Sequence, residues 1–286
     1  MGIVLLTALS VFACEPEWAA LAQELGGDKV TTFAATTALQ DPHQVEARPS
    51  LIARMRNADL LVCSGAELEA GWLPLLLTQS GNDRVQSGSP GYFEASQYVL
   101  KLEVPQVVDR SMGDVHPGGN PHVHTDPRNI ARIASALSQR LAALDPPNAA
   151  IYAARAADFG KRWREATARW EKQAAPLKGM PVVVHHKYYS YLQNWLGMRE
   201  VGTLEPRPGI PPSTAQLAGL VERMKQSPAK LILYSSYNDP RAAEFLSQRT
   251  GIPKVMLPAT VGGSERAKDL FGYFDDIVAR LGSPAP

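Results

Sequence analysis

The sequence predicts an α/β fold: two α/β lobes with parallel sheets, joined by one long connecting helix. Three observations carry this expectation. Short apolar runs alternate with helical stretches in the first half of the chain, the same alternation returns in the second half, and one unbroken apolar stripe of helical period lies between them.

In the first half, Ser10–Cys14 reads as a strand and Pro16–Leu25 as a helix stopped by Gly26-Gly27. Val30–Ala34 is a second strand, Pro49–Asn57 a helix and Ala58–Cys63 a third strand. Glu67–Thr78 reads as a helix with Leu68, Trp72 and Leu75 on one face. Residues 79–120 are rich in Gly, Ser, Asn and Pro and hold only short strand candidates, so they read as surface loops. Asp126-Pro127 opens a helix to about Leu144, with the aspartate as N-cap and the proline at the first helical position.

The stripe follows. Tyr152, Ala156, Phe159, Trp163, Ala166, Trp170 and Ala174 recur at steps of three and four. A helix of roughly 27 residues, about 40 Å at 1.5 Å per residue, is too long for a small α/β layer and reads as a brace between two lobes. A coiled-coil seam is the weaker alternative, because about three heptads are present. Beyond it, Pro181–Val184, Lys230–Tyr234 and Val255–Leu257 read as strands. Tyr188–Leu196, Ser213–Gln226, Asp239-Pro240 to Thr250, and Ala267–Leu281 read as helices. The expected organisation is a signal-peptide remnant over residues 1–8, an N-terminal lobe over 9–145, the connecting helix over 146–178 and a C-terminal lobe over 179–286.

Of the 286 residues, 45% are hydrophobic and 20% charged, and the formal net charge is +1. No dense Lys/Arg run is present, so a nucleic-acid partner is not indicated. The two cysteines, Cys14 and Cys63, each end an expected strand. On neighbouring strands they either form a disulfide or remain buried thiols, and in the absence of a CxxC pair a cysteine zinc site is excluded. Val11-Phe12-Ala13-Cys14 faintly resembles a lipid-attachment box, with Phe12 a poor fit.

The histidines point to function. All six fall in three motifs: His43 in Asp41-Pro42-His43; His116, His122 and His124 in HPGGNPHVH; His185 and His186 at the end of PVVVHH. Each motif lies where a strand or loop gives way to a helix, the edge at which open α/β sheets bind ligands. Neutral imidazoles are common metal ligands, and three of them with one carboxylate make a tetrahedral zinc site. Asp41, Glu46 and Asp126 are candidate acceptors that orient the rings. Singly, each histidine also has a structural reading, as a turn, loop or strand-end residue.

The order of DPH, ADLLVCSGAELEAGWL, NPHVHTDPRN and VVVHHKYYSYLQNWLG resembles the cluster of periplasmic zinc- and manganese-binding proteins that serve metal ABC importers. The resemblance runs from about Leu9 to Leu281. It implies two α/β lobes joined by a long helix, and His43, His122 and His186 as metal ligands. The implied function is capture of zinc (Zn2+) between the lobes and delivery to an ABC permease in the inner membrane, by a periplasmic, monomeric, non-enzymatic protein. Manganese fits imidazole donors less well.

Two departures stand out. His124 occupies a position where the family usually has tryptophan, so His124, with His116 and His185, is a candidate for auxiliary metal capture. The loop LPATVGG lacks the family's late carboxylate, which leaves Asp239 as the expected substitute, although Asp239-Pro240 is also an ordinary N-cap pair. Glu205 and a bound water are further candidates for that fourth position. A zinc hydrolase is the rival class, but HExxH and GxSxG are both absent. A binding protein for a chelated metal such as a siderophore would favour an aromatic- or Arg-lined cleft over clustered histidines.

Overall fold

The structure, a computed structural model, describes residues 8–107, 116–207 and 209–283. The expected signal remnant therefore lies, but for Ala8, outside the described residues.

The chain builds two four-stranded parallel sheets of one topology. The first contains β1 (Leu9–Ala13), β2 (Val30–Ala34), β3 (Leu60–Cys63) and β4 (Tyr92–Glu94), in the order β2-β1-β3-β4. The second contains β5 (Pro181–Val184), β6 (Arg199–Thr203), β7 (Leu231–Ser235) and β8 (Lys254–Leu257), in the order β6-β5-β7-β8. The central strands are short apolar runs, and all four residues of β3 are buried. Such strands persist because helices cover both faces of a parallel sheet. In the first lobe these helices are α1 (Pro16–Gly26), α2 (Pro49–Arg56), α3 (Leu73–Ser80) and α4 (Pro127–Leu144). The long helix α5 is Ala149–Ala174, and α6 (Ser190–Leu196), α7 (Thr214–Gln226), α8 (Arg241–Thr250) and α9 (Leu270–Gly282) flank the second sheet.

Helix α5 buries the stripe read from the sequence: Tyr152, Phe159, Trp163, Ala166, Trp170 and Ala174. Its two tryptophans tie it to different lobes. Trp163 Nε1 donates to the Pro127 carbonyl at the start of α4 (2.8 Å), and Trp170 Nε1 donates to Asp275 Oδ1 on α9 (2.6 Å). One hydrophobic core is continuous from Val11 and Leu60 of the first sheet, through α5, to Val182 and Leu233 of the second. Two smaller cores lie on the outer faces of the sheets. A shared core of this kind resists wide separation of the lobes, because opening would expose apolar surface.

Several local expectations are corrected. Residues 67–71 form turns, and α3 starts only at Leu73. Ala66 and Glu67 both adopt positive φ, which a continuous helix does not permit. Leu75 is consequently exposed while Leu76 is buried. Residues 187–189 form a 3-10 turn before α6, and α9 starts three residues later than expected, behind the cap Asp269. Strands β4 and β6 were missing from the sequence reading; both are edge strands, without the long apolar run that marks a central one.

Cys14, just beyond β1, and Cys63, at the end of the adjacent β3, form a disulfide with their Cα atoms 4.8 Å apart. The bridge occupies the thiol that lipid attachment would need. Among the described residues no helix is long and apolar enough to cross a membrane.

Candidate metal centre

The carboxyl ends of both sheets converge on a group of imidazoles. His43 sits in the loop after β2. Asp41 Oδ1 accepts from the His43 backbone N–H (3.0 Å) and lies 2.7 Å from its Nδ1, so the ring is held on that side and Nε2 is left to face the centre. Burial raises the Asp41 pKa, but the hydrogen bond and charge of His43 outweigh it and hold the carboxyl below its usual range. The loop itself is pinned where Trp72 Nε1 donates to the Pro42 carbonyl (3.0 Å).

His186 follows the end of β5. Its Nδ1 lies 2.8 Å from Glu205 Oε2, a residue just beyond β6. Glu205 is in turn fixed by the Gly209 N–H (2.9 Å). This arrangement again leaves Nε2 free.

His122 is the unusual member. Asn120 Oδ1 accepts from its backbone N–H (3.0 Å), and the residue is 1% exposed, yet among the described residues neither ring nitrogen has a hydrogen-bond partner. Burial, reinforced by the neighbouring His43 and His186, pushes its pKa well below that of a free imidazole, so the ring is neutral. A buried polar atom without a partner costs about 1–3 kcal/mol, and His122 has two.

His43, His122 and His186 each offer a donor atom, and the three atoms all lie within 4.8 Å of one another. The ring centroids form a near-equilateral triangle with sides of 5.4, 5.5 and 5.6 Å. His116 lies beside this group rather than within it, its Nε2 3.2 Å from His43 Nε2. Burial, and then the charges of His43 and His186, push its pKa down to about 4. Two nitrogens at about 2.0–2.1 Å from a tetrahedral zinc ion are about 3.4 Å apart, so the His43–His116 spacing already suits one ion. The triangle is somewhat wider and would contract on binding.

The other residues picked out in the sequence go elsewhere. Asp239 accepts from the Arg241 N–H (3.0 Å) and Nε (2.7 Å), and these bonds hold its pKa down. It lines a separate cavity of about 550 Å³ between α7 and α8, with His185, Glu205 and Phe245. His185 Nε2 is 3.6 Å from Glu205 Oε1, and burial lowers its pKa against the pull of that carboxylate. His124 is fully buried away from the triangle, with Nδ1 3.0 Å from Glu17 Oε1. Of the proposed orienting acids, Asp41 acts on a ring, Asp126 caps α4 and pairs with Arg128, and Glu46 is exposed. Glu205, weighed in the sequence only as a possible ligand, instead orients His186. Glu17 carried no chemical motif that would single it out, and Tyr188 stood only in the aromatic run that follows His186.

The chain matches the family model for the zinc-uptake complex component A, periplasmic (ZnuA), over residues 11–282. It is 23% identical over 273 residues to the manganese ABC transporter substrate-binding lipoprotein PsaA of Streptococcus anginosus, covering 93% of this chain and 84% of that one. To the high-affinity zinc uptake system protein ZnuA of Bacillus subtilis it is 22% identical over 246 residues, 84% of this chain and 75% of the relative. Among solved structures, a crystal structure of ZnuA superimposes with a TM-score of 0.81 at 20% identity, covering 96% and 98% of the two chains. A manganese-bound periplasmic metal-binding protein from Candidatus Liberibacter asiaticus gives 0.77 at 18% identity, with 96% and 98% covered. The two-sheet fold with its long helix is that of these structures. The family consists of substrate-binding components of metal ABC importers rather than enzymes, and this chain belongs to it, the ZnuA family of periplasmic zinc-uptake components.

Proposed function

We propose that this protein captures zinc in the periplasm, as a monomer, and passes it to an ABC permease of the inner membrane. The ligands are His43, His122 and His186, with His116 as the fourth donor in place of Asp239. The observation that carries this reading is His122: a buried, neutral imidazole whose two nitrogens lack partners, facing two rings already turned toward it by Asp41 and Glu205. A metal ion at the centre of the triangle would satisfy one of these two nitrogens, the one that binds it. An imidazole-only donor set favours zinc over manganese, which prefers carboxylate and water. The relatives are named for both metals, so the donor chemistry of this chain decides between them.

Zinc and manganese titrations against a competing chelator test this reading on wild type, His43→Ala, His122→Ala, His186→Ala and Asp239→Ala. One tight zinc per chain is expected, weaker manganese, loss in the three histidine variants and no change in Asp239→Ala. Wild-type protein that takes up no zinc tightly would sink the assignment, and a loss in Asp239→Ala would return that carboxylate to the site.

A further inference from the structure

The three rings of the triangle are not oriented alike. His43 leans on Asp41 and His186 on Glu205, each through Nδ1. His122 has no hydrogen bond at either nitrogen, so nothing of that kind fixes its plane. What does touch the ring is Tyr188, stacked on it with centroids 4.1 Å apart and planes 29° apart, closer than any pair of rings within the triangle.

Tyr188 is itself held from behind. Its hydroxyl donates to the Ala259 carbonyl (2.9 Å) and lies 3.2 Å from His124 Nε2. His124 Nε2 is also 3.1 Å from the same carbonyl, and His124 Nδ1 is 3.0 Å from Glu17 Oε1, a close contact that lacks hydrogen-bond geometry. The other oxygen of Glu17 accepts from Thr260 Oγ1 (2.5 Å). Glu17, His124 and Tyr188 are all buried. Glu17 belongs to α1, and His124 to the short turn that His122 begins; Tyr188, Ala259 and Thr260 belong to the other lobe. The relay therefore closes on itself: the turn that carries His122 also carries the residue that fixes the stacking partner of His122.

We infer that Glu17, His124 and Tyr188 are positioning residues for His122. Tyr188 is a platform that sets the plane of the imidazole, and the Glu17–His124 pair, together with the Ala259 carbonyl, holds the platform in place across the lobe boundary. Residues 258–263, the carboxylate-free start of the loop after β8, contribute the backbone and hydroxyl anchors of this platform. A stacked aromatic ring, rather than a carboxylate, thus orients the third imidazole. The inference rests on the zinc reading of the triangle.

The test measures three quantities on each variant: zinc affinity by chelator competition, the visible absorption of the cobalt(II) form, and the melting temperature of the metal-free protein. Tyr188→Phe keeps the ring and loses its anchor; Tyr188→Leu loses both; Glu17→Gln weakens the far end of the relay. Loss of an orienting partner typically weakens metal binding by about 10–100-fold. We expect about 10-fold for Tyr188→Phe and for Glu17→Gln, about 100-fold for Tyr188→Leu, and an altered cobalt spectrum in all three. The double variant Glu17→Gln/Tyr188→Phe should bind no more weakly than the worse single one, because both act through the same ring. Variants that melt earlier but keep wild-type zinc affinity and cobalt spectrum would show that the relay only joins the lobes, and the inference would fall. Multiplying penalties in the double variant would also overturn it. Should Tyr188→Leu not fold, Tyr188→Phe decides. Wild-type protein that binds no zinc would instead defeat the functional reading itself.

Discussion

The two sheets have the same strand order, which places β1 and β5, β2 and β6, and β3 and β7 in equivalent positions, yet their carboxyl ends carry opposite chemistry. Beyond β1 come Cys14, bridged to Cys63 at the end of β3, and Glu15. Glu15 and Glu69 are buried around the Ser64 backbone N–H, which lies 3.3 Å from Glu15 Oε2 and 2.8 Å from Glu69 Oε1. Burial raises the pKa of both, Glu15 well above its usual range and Glu69 to about 7. Beyond β5, the same position holds His185 and His186, and the end of β6 supplies Glu205. The first lobe seals its central crevice with a covalent bond and paired carboxyls, and sends His43, His116 and His122 to the centre on outlying loops. The second lobe keeps its crevice open and delivers one imidazole directly from a strand end. One topology thus serves stability at one strand end and ligand chemistry at its counterpart.

Ligand removal should break this comparison most strongly. Of the four proposed donors only His186 comes from the second lobe, so on this reading His186→Ala would leave the ion held by one lobe. Its zinc affinity should fall by more than about 100-fold, beyond the range of orienting residues. His116→Ala leaves three donors spanning both lobes and should cost about 10-fold. Competition titrations that ranked His116→Ala as the more damaging change would reverse the proposed division of labour.

The disulfide tests the other half of the contrast. It closes a loop with a sequence separation of 49. The chain-entropy relation gives about 4 kcal/mol for such a loop. Cys14→Ser/Cys63→Ser should lower the unfolding free energy of the metal-free protein by up to about that amount, as read from urea denaturation. Zinc affinity should be nearly unchanged, because no ligand or orienting acid contacts the bridge. A large loss of affinity would mean that the sealed crevice also shapes the site.

Much of this difference was legible in the sequence, and the rest was hidden for identifiable reasons. The seven-residue stripe from Tyr152 to Ala174 announced α5, because a buried helix face must repeat at three and four. The central strands were visible because strands buried on both faces are continuously apolar. Of the four edge strands, β2 and β8 were read, while β4 and β6 were not, since Tyr92–Glu94 spans three residues and Arg199–Thr203 is of mixed composition. The histidines of the triangle were picked out by residue type and by their places at strand and loop ends. Which carboxylate serves which ring could not be read, because Glu205 meets His186 across two neighbouring strands, 19 residues away in sequence. Asp41 lay within reach because its bond to His43 spans only two residues. Asp239, the expected fourth ligand, accepts instead from Arg241, two residues on. Tyr188 stands in the aromatic run Lys187-Tyr188-Tyr189-Ser190-Tyr191 after His186, but its stacking on His122, like the place of Glu17, depends on contacts made across the lobes.

The orienting acids give a more moderate effect and sharpen the symmetry at the centre. Asp41→Asn and Glu205→Gln should each weaken zinc binding by about 10–100-fold without changing its stoichiometry. Equal losses would mean that the two lobes orient their rings equally well. A much larger loss in Glu205→Gln is the alternative outcome, because Glu205 also stands beside His185 and the Gly209 N–H. Unchanged affinity in both variants would remove the claim that these carboxylates set the rings.

The smallest effect concerns pH, because the two groups of titrating residues oppose each other. In the metal-free protein His122 and His116 have lowered pKa values, His116 about 4 against an ordinary 6.5. The unfolded chain therefore binds more protons at these positions, and their contribution to stability is lost as pH falls from 6.5 toward 4. Glu15 and Glu69 have raised values, Glu69 about 7 against an ordinary 4.5. Here the folded chain binds more protons, and stability is lost as pH rises from 4.5 toward 7. The windows overlap with opposite slopes, so the urea midpoint of the wild type should vary little between them. Glu69→Gln removes part of the carboxyl slope, and its midpoint should rise with pH across that interval. His116→Leu removes part of the imidazole slope, and its midpoint should fall. Zinc binds only the neutral rings, so saturating zinc should add a steep loss of stability on the acid side in wild type and Glu69→Gln alike. Midpoints that respond to pH identically in both variants would show that the buried carboxyls and the imidazoles of the centre do not titrate against each other.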